Sequence, residues 1–195
     1  MNGDALARLE TRYGVHLETA QERQIQLYLK LLLKWNRKIN LTSLDKVEKI
    51  LERHFFESFW GVERFLPAQG HVADIGSGPG FPGMAMKLYR PSLHFTLIER
   101  QSKRITFLKE VRQALKLDVQ LFHGRAEIYP GWDSTDLAVT RGLKPSTRLV
   151  ELLRHQGAPL LVFHGHSLAP SLSGMEVLQQ RRVPHSRQRH ASLLR

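Results

Sequence analysis

Apolar residues recur with helical spacing through the first third of the chain and gather into short strand-like runs after it. Thr19-Ala-Gln-Glu22 has capping-box spacing, which predicts a helix from there to about Lys34. Turn formers fill residues 36–43, and Val47, Ile50, Leu51, Phe55 and Phe59 then place an apolar stripe on a second helix. The pattern changes at residues 67–70. A strand over residues 71–75 meets a glycine-rich turn, and a helix over residues 82–89 is stopped by Arg90-Pro91. A strand over 93–98, a helix over 103–115 and a strand over 119–122 continue the alternation. Further strands are expected over 136–140 and 159–163, with a helix over 146–155 between them. Residues 175–183 and 190–194 suit a final antiparallel pair. The expected architecture is α/β: a doubly wound, mostly parallel sheet over residues 67–195, with a helical N-terminal extension over residues 1–66.

Composition narrows the chemistry. Lysine and arginine total 29 against 18 acids, a formal charge of +11, which favours a polyanionic partner, nucleic acid above all. No acid follows Glu176, whereas Arg181, Arg182, Arg187, Arg189 and Arg195 do, so this end reads as either a basic RNA-facing edge or a frayed solvated tail. Cysteine is absent, which removes disulfides, cysteine zinc sites and any thiol nucleophile and fits a reducing cytoplasm. No metal site is expected. No apolar run is long enough to suggest a membrane span, and Lys30 and Lys34 bound the run Leu31 to Leu33. Oligomeric state is left open.

The glycine-rich turn Asp74-Ile-Gly-Ser-Gly-Pro-Gly-Phe-Pro-Gly83 falls between the first strand and its helix, at the end of the sheet where doubly wound folds bind ligands. A nicotinamide fingerprint needs G-x-G-x-x-G, yet Phe81 occupies the third glycine position. The spacing is instead Gly76-x-Gly78-x-Gly80. With Asp74 two residues ahead, it resembles the first motif of class I (Rossmann-like) methyltransferases, which implies S-adenosylmethionine as cofactor. Glu99, ending the second strand, is placed to accept hydrogen bonds from ribose hydroxyls, and Glu127 follows the third strand, where the adenine ring is expected.

The methyl acceptor is constrained by what is missing. Methylation of pyrimidine carbon uses a cysteine nucleophile, which this chain lacks. Exocyclic amine methylation usually leaves an Asp/Asn-Pro-Pro-aromatic signature after the fourth strand, where Thr140-Arg-Gly-Leu-Lys-Pro145 stands instead. Guanine N7 already offers a lone pair, so alignment suffices without a general base or a covalent intermediate.

A closer resemblance rests on Lys34-Trp-Asn-Arg-Lys-Ile-Asn-Leu-Thr42, Arg53-His54, the 73–83 loop, Lys103-Arg104 with Phe107-Leu108, Gly124-Arg-Ala-Glu127 and Thr140-Arg141-Gly142. The chain resembles the bacterial small-subunit (16S) ribosomal RNA guanine-N7 methyltransferases, once called glucose-inhibited division protein B. That resemblance implies methylation of a single guanine, guanine 527 in the family, on 16S RNA or the small ribosomal subunit. It implies cofactor contacts at Gly76, Phe81, Ala126, Glu127 and Arg141. Arg141 can serve either the methionine carboxylate or guanine O6. His54 shares the apolar face of its helix and reads as either a buried, hydrogen-bonded histidine or an RNA contact. Arg53, His54, Lys103, Arg104 and Arg125 are the RNA candidates, a positive rim about the cofactor mouth. Phe163-His164-Gly165 departs from the family, which has a lysine before that glycine, and the polar 187–195 segment departs from its apolar ending. Those departures leave room for a cofactor-binding RNA protein without turnover, or for a methyltransferase of another substrate.

Overall fold

The computed structural model describes residues 3–195. Four α-helical segments and one π-helical segment precede the first strand. α1 (Gly3–Tyr13) buries Leu6, Leu9 and Tyr13 at i, i+3 and i+7, a stripe to which sequence pattern had assigned no element. α2 (Thr19–Asn36) begins one residue earlier than its expected cap. Glu18 is the N-cap and Gln21 Oε1 accepts from the Glu18 N–H at 2.9 Å, so the box is Glu18/Gln21 and not Thr19/Glu22. The Gln21 amide then donates to the Leu88 and Tyr89 carbonyls, which ties the helix start to the C-terminal end of the helix over 83–89.

The expected second helix is longer and less regular than its apolar spacing suggests. α3 (Val47–Ile50) runs into a π-helical segment, Leu51–Phe56, which continues as α4 (Glu57–Phe65). Ile50, Leu51, Phe55, Phe56 and Phe59 are all inaccessible to solvent, so the helix is gripped on several sides.

The sheet has seven strands in the order β3-β2-β1-β4-β5-β7-β6: β1 (His71–Ile75), β2 (His94–Glu99), β3 (Gln120–His123), β4 (Leu137–Arg141), β5 (Leu160–His164), β6 (Val177–Arg182) and β7 (His190–Leu194). β1 to β5 are parallel, and β7 enters antiparallel between β5 and β6. The crossover helices are α5 (Gly83–Tyr89), α6 (Ser102–Leu115) and α7 (Thr147–Gln156).

Pleat alternation divides the sheet between two cores. Val72, Leu97, Val139 and Leu161 face α1 to α6, in one cluster that merges the N-terminal helices with α5 and α6. Ala73, Ile75, Ile98 and Ala138 face α7 and two short 3₁₀ turns carrying Ala126 and Trp132. Asp74 therefore points to the same side as Val72, under α5, and this decides its role. No helix among the described residues is long and apolar enough to cross a membrane.

Candidate functional site

The C-terminal ends of β1 to β4 open into a cleft of about 690 Å³. The glycine loop forms its floor. Gly76 and Ser77 N–H groups donate to the Ile98 carbonyl, which pins the turn to β2, and Gly76, Gly78 and Gly80 all have positive φ. Gly80, at φ +92°, has a second constraint: a methyl there would strike Tyr28 Oη and lie 2.9 Å from Met84 Cβ. Tyr28 Oη donates to the Pro79 carbonyl at 2.6 Å, so α2 braces the loop from behind.

Asp74 and Glu99 take different parts. Asp74 is inaccessible to solvent and does not line the cleft; its Oδ2 accepts from Gly83 N–H at 3.0 Å, while Oδ1 has no partner. Burial pushes its pKa up to about 7, against the lowering pull of Gly83, Ser77 and Arg141. Glu99 does line the cleft. Its Oε2 accepts from Gly78 N–H at 2.9 Å and its Oε1 from Gln101 N–H at 2.8 Å, with Arg104 3.6 Å away. Glu127, also on the wall, accepts from Ser146 Oγ at 2.8 Å, and its own backbone N–H and Ser146 hold its carboxyl below the ordinary range.

A stack of three rings supports the opposite wall. Phe81 lies between Tyr28 (centroids 5.1 Å apart) and His54 (4.6 Å), each within 12° of parallel. His54 Nε2 meets Thr42 Oγ1 at 2.8 Å, whereas Nδ1 is buried without a partner. Burial first, then Arg141 and Arg53, bring the His54 pKa down to about 3, so the ring is neutral. Thr42 is delivered by Asn36, whose Oδ1 accepts from the Leu41 and Thr42 N–H groups and whose amide donates to the Thr42 carbonyl. The Trp-Asn segment thus shapes a loop, 41–44, that forms part of the cleft wall.

Arg141, at the end of β4, donates to the Arg53 carbonyl at 2.6 Å and to the His54 carbonyl at 3.4 Å, both on the π-helical segment. Its guanidinium carbon lies 5.8 Å from the Phe81 and Phe163 ring centres. Burial lowers its pKa, opposed mainly by Glu57. Glu57 is itself buried and ion-paired with Arg189, which donates through Nε at 2.7 Å and also through Nη2.

Of the residues expected from sequence, Gly76, Gly78, Phe81, Glu99, Ala126, Glu127, Arg141, Arg53, His54, Arg104 and Arg125 converge on this cleft. Three do not. Asp74 faces α5, Gly80 backs onto Tyr28, and Lys103 is exposed in the first turn of α6, away from the lining. Tyr28, the 41–44 loop, Glu57 and Arg189 escaped the sequence reading. Capping-box and glycine signals are local, whereas Glu57 and Arg189 are 132 residues apart. His164 lies outside the lining; its Nε2 meets Ser192 Oγ at 2.9 Å on β7.

A family model described as GidB, rRNA small subunit methyltransferase G, matches residues 21–183. The ribosomal RNA small subunit methyltransferase G of Alkaliphilus metalliredigens is 40% identical over 145 residues, 71% of this chain and 60% of that protein. The protein of the same name from Aquifex aeolicus is 37% identical over 153 residues, 76% of this chain and 77% of that protein. That of Staphylococcus saprophyticus is 34% identical over 176 residues, 87% and 72%. The chain thus spans less than two thirds of the Alkaliphilus relative's length and about three quarters of the other two. Among solved structures, a SAM dependent methyltransferase from Aquifex aeolicus superposes with a TM-score of 0.60 at 16% identity, covering 79% of this chain and 95% of that one. The tRNA (uracil-54, C5)-methyltransferase of Pyrococcus abyssi, in complex with S-adenosyl-L-homocysteine, gives 0.55 at 10% identity over 70% and 37% of the two chains. At these identities the likeness is one of fold.

Proposed function

Because the chain belongs to the rRNA small subunit methyltransferase G family, we propose that it transfers a methyl group from S-adenosylmethionine to N7 of one guanine in 16S ribosomal RNA. The observation that carries this reading is the convergence of the glycine loop, Glu99, Glu127 and Arg141 on one cleft at the C-terminal end of a parallel sheet. Residues 67–195 are read as the cofactor-binding core, and residues 3–66 as a helical extension that supplies part of the cleft wall. The reaction belongs with ribosome assembly in the cytoplasm.

The residues present fit the cofactor. Gly78 is open, with no atom nearer than 3.8 Å to an added methyl, so backbone can approach a ligand there. Glu99 holds two backbone N–H groups and retains acceptor capacity for ribose hydroxyls. Ala126 and Glu127 bound the adenine end. Gly76 and Phe81 border the methionine end, and the buried Asp74 beneath them holds the loop through the Gly83 N–H. The bound cofactor supplies an electrophilic methyl on a sulfonium.

What the chain does is position. Guanine N7 bears no proton, so no residue needs to remove one; the neutral His54 and the rings behind it offer a fixed surface. Arg141, anchored to two carbonyls and flanked by two rings, keeps further N–H donors for the methionine carboxylate or for guanine O6. Arg53, Arg104 and Arg125 add positive charge at the mouth for RNA phosphates.

The test is transfer of labelled methyl to small ribosomal subunits and to naked 16S RNA from a strain lacking this family's enzyme, followed by mapping of the modified base. Label at one guanine N7 is expected. Gly76→Trp should abolish cofactor binding, and Arg141→Ala should reduce kcat/KM by about tenfold or more. Label on an exocyclic amine, or on protein alone, would overturn the reading.

A further inference from the structure

A second concavity, of about 490 Å³, lies on the flank of the molecule between α4 and the edge strand β6, lined by Trp60, Glu63, Arg64, Gln179, Arg181 and Arg182. Arg64, Arg181 and Arg182 are exposed, and among the described residues no carboxylate lies within ion-pair distance of any of them. The one acid in the groove, Glu63, already holds Arg90 at 3.0 Å. Three uncompensated guanidinium groups thus face one hollow. β6 is also the outer strand of the sheet, so backbone N–H groups on its free side add donors.

Two elements link the groove to the cleft wall. Arg181 and Arg182 pair in register with Ala191 and His190 of β7, next to Arg189, which lines the cleft. On α4, Glu57, Trp60 and Arg64 fall at i, i+3 and i+7 on one face, and Glu57 is the partner of Arg189. Seven residues of helix rise about 10.5 Å, so Arg64 stands two turns from the cleft wall. A flexible polyanion with one unit in the cleft has its neighbouring units within reach of this flank.

We propose that the groove formed by Arg64, Arg181 and Arg182 binds the sugar-phosphate backbone of the substrate RNA on one side of the target nucleotide. It is a second RNA contact, separate from the Arg53, Arg104 and Arg125 rim. This inference rests on the RNA reading of the cleft. Guanidinium forks match phosphate oxygens in two-pronged geometry, and the groove carries no exposed aromatic side chain to stack a base, so it holds backbone without reading sequence.

The experiment uses the full chain as the triple variant R64A/R181A/R182A, with charge-retaining R64K/R181K/R182K beside it. Direct binding to a fluorescent 16S RNA fragment and methyl transfer to naked RNA and to small subunits are both measured across salt, together with S-adenosylmethionine affinity. The alanine variant should keep its cofactor affinity, bind RNA about tenfold more weakly at physiological salt, and lose about 2 to 3 from its log–log salt slope, while the lysine variant keeps the wild-type slope and has intermediate affinity. Wild-type RNA affinity and slope in the alanine variant would overturn the proposal. So would a loss seen with intact subunits but not naked RNA, since the groove would then serve a protein. Because binding is read without turnover, absence of methyl transfer by the wild-type protein would count against the proposed reaction alone.

Discussion

Asp74 and His54, two strongly perturbed groups beside the cleft, make opposite contributions to stability as pH falls, and this can be tested by titration of stability. Asp74 has a folded-state pKa of about 7 against 3.8 for the free side chain. Between pH 7 and pH 5 the folded protein takes up its proton and the unfolded chain does not, so folding gains about 2 kcal/mol from this residue over that interval. His54 behaves in reverse. Its folded pKa is about 3 against 6.5, so between pH 7 and pH 5 the unfolded chain takes up the proton and folding loses about 2 kcal/mol. The wild-type contributions nearly cancel. The variants should not: Asp74→Asn, an isostere that keeps an acceptor for Gly83 N–H, is expected to lose about 2 kcal/mol relative to wild type on going from pH 7 to pH 5. His54→Gln is expected to gain a similar amount relative to wild type. Urea unfolding of the cofactor-free protein at both pH values gives these differences, which correspond to shifts of about 4 to 8 °C in Tm. If Asp74→Asn followed the wild-type pH dependence, the carboxyl would stay ionised in the folded state down to pH 5, and the reasoning from its burial would be refuted.

The brace behind the glycine loop gives a second expectation. Gly80→Ala should destabilise the fold by about 2 to 4 kcal/mol, since its methyl meets Tyr28 Oη and Met84 at a positive φ. Tyr28→Phe should cost about 1 kcal/mol and raise the cofactor dissociation constant about fivefold by freeing the Pro79 carbonyl. When Tyr28→Phe and Gly80→Ala are combined, the penalty of the second change should shrink, a coupling that thermal unfolding of the wild type, the two single variants and the double variant measures. Glu57→Gln should lower stability by about 2 kcal/mol, given that Arg189 is partly exposed and so partly screened. It should also weaken the Arg141 position, seen as a fall in kcat/KM with cofactor affinity retained.

Much of the sheet and the loop was legible in sequence because their signals are local. β1 and β7 lie where alternation and turn residues place them, and the other strands fall within two residues of expectation. Gly76, Gly78 and Gly80 each answer to a backbone angle that glycine adopts easily. What was not legible depends on packing. Asp74 looked like a ligand contact from its spacing, yet strand pleating turns it under α5. The apolar stripe from Val47 to Phe59 gave a helix, but a π-helical turn is set by neighbours on several sides and by the docking of Arg141 on its carbonyls. Arg189, in a segment that reads as a polar tail, is fixed at the cleft only because β7 inserts beside β5.

That insertion orders events during synthesis. β7 occupies a slot between two strands that both precede it in the chain, so β6 has no neighbour in the sheet until β7 has left the ribosome. Until then Glu57 lacks its arginine and the wall beneath Arg141 is open. The cleft wall that Glu57 and Arg189 share is therefore completed only after translation has passed Arg189.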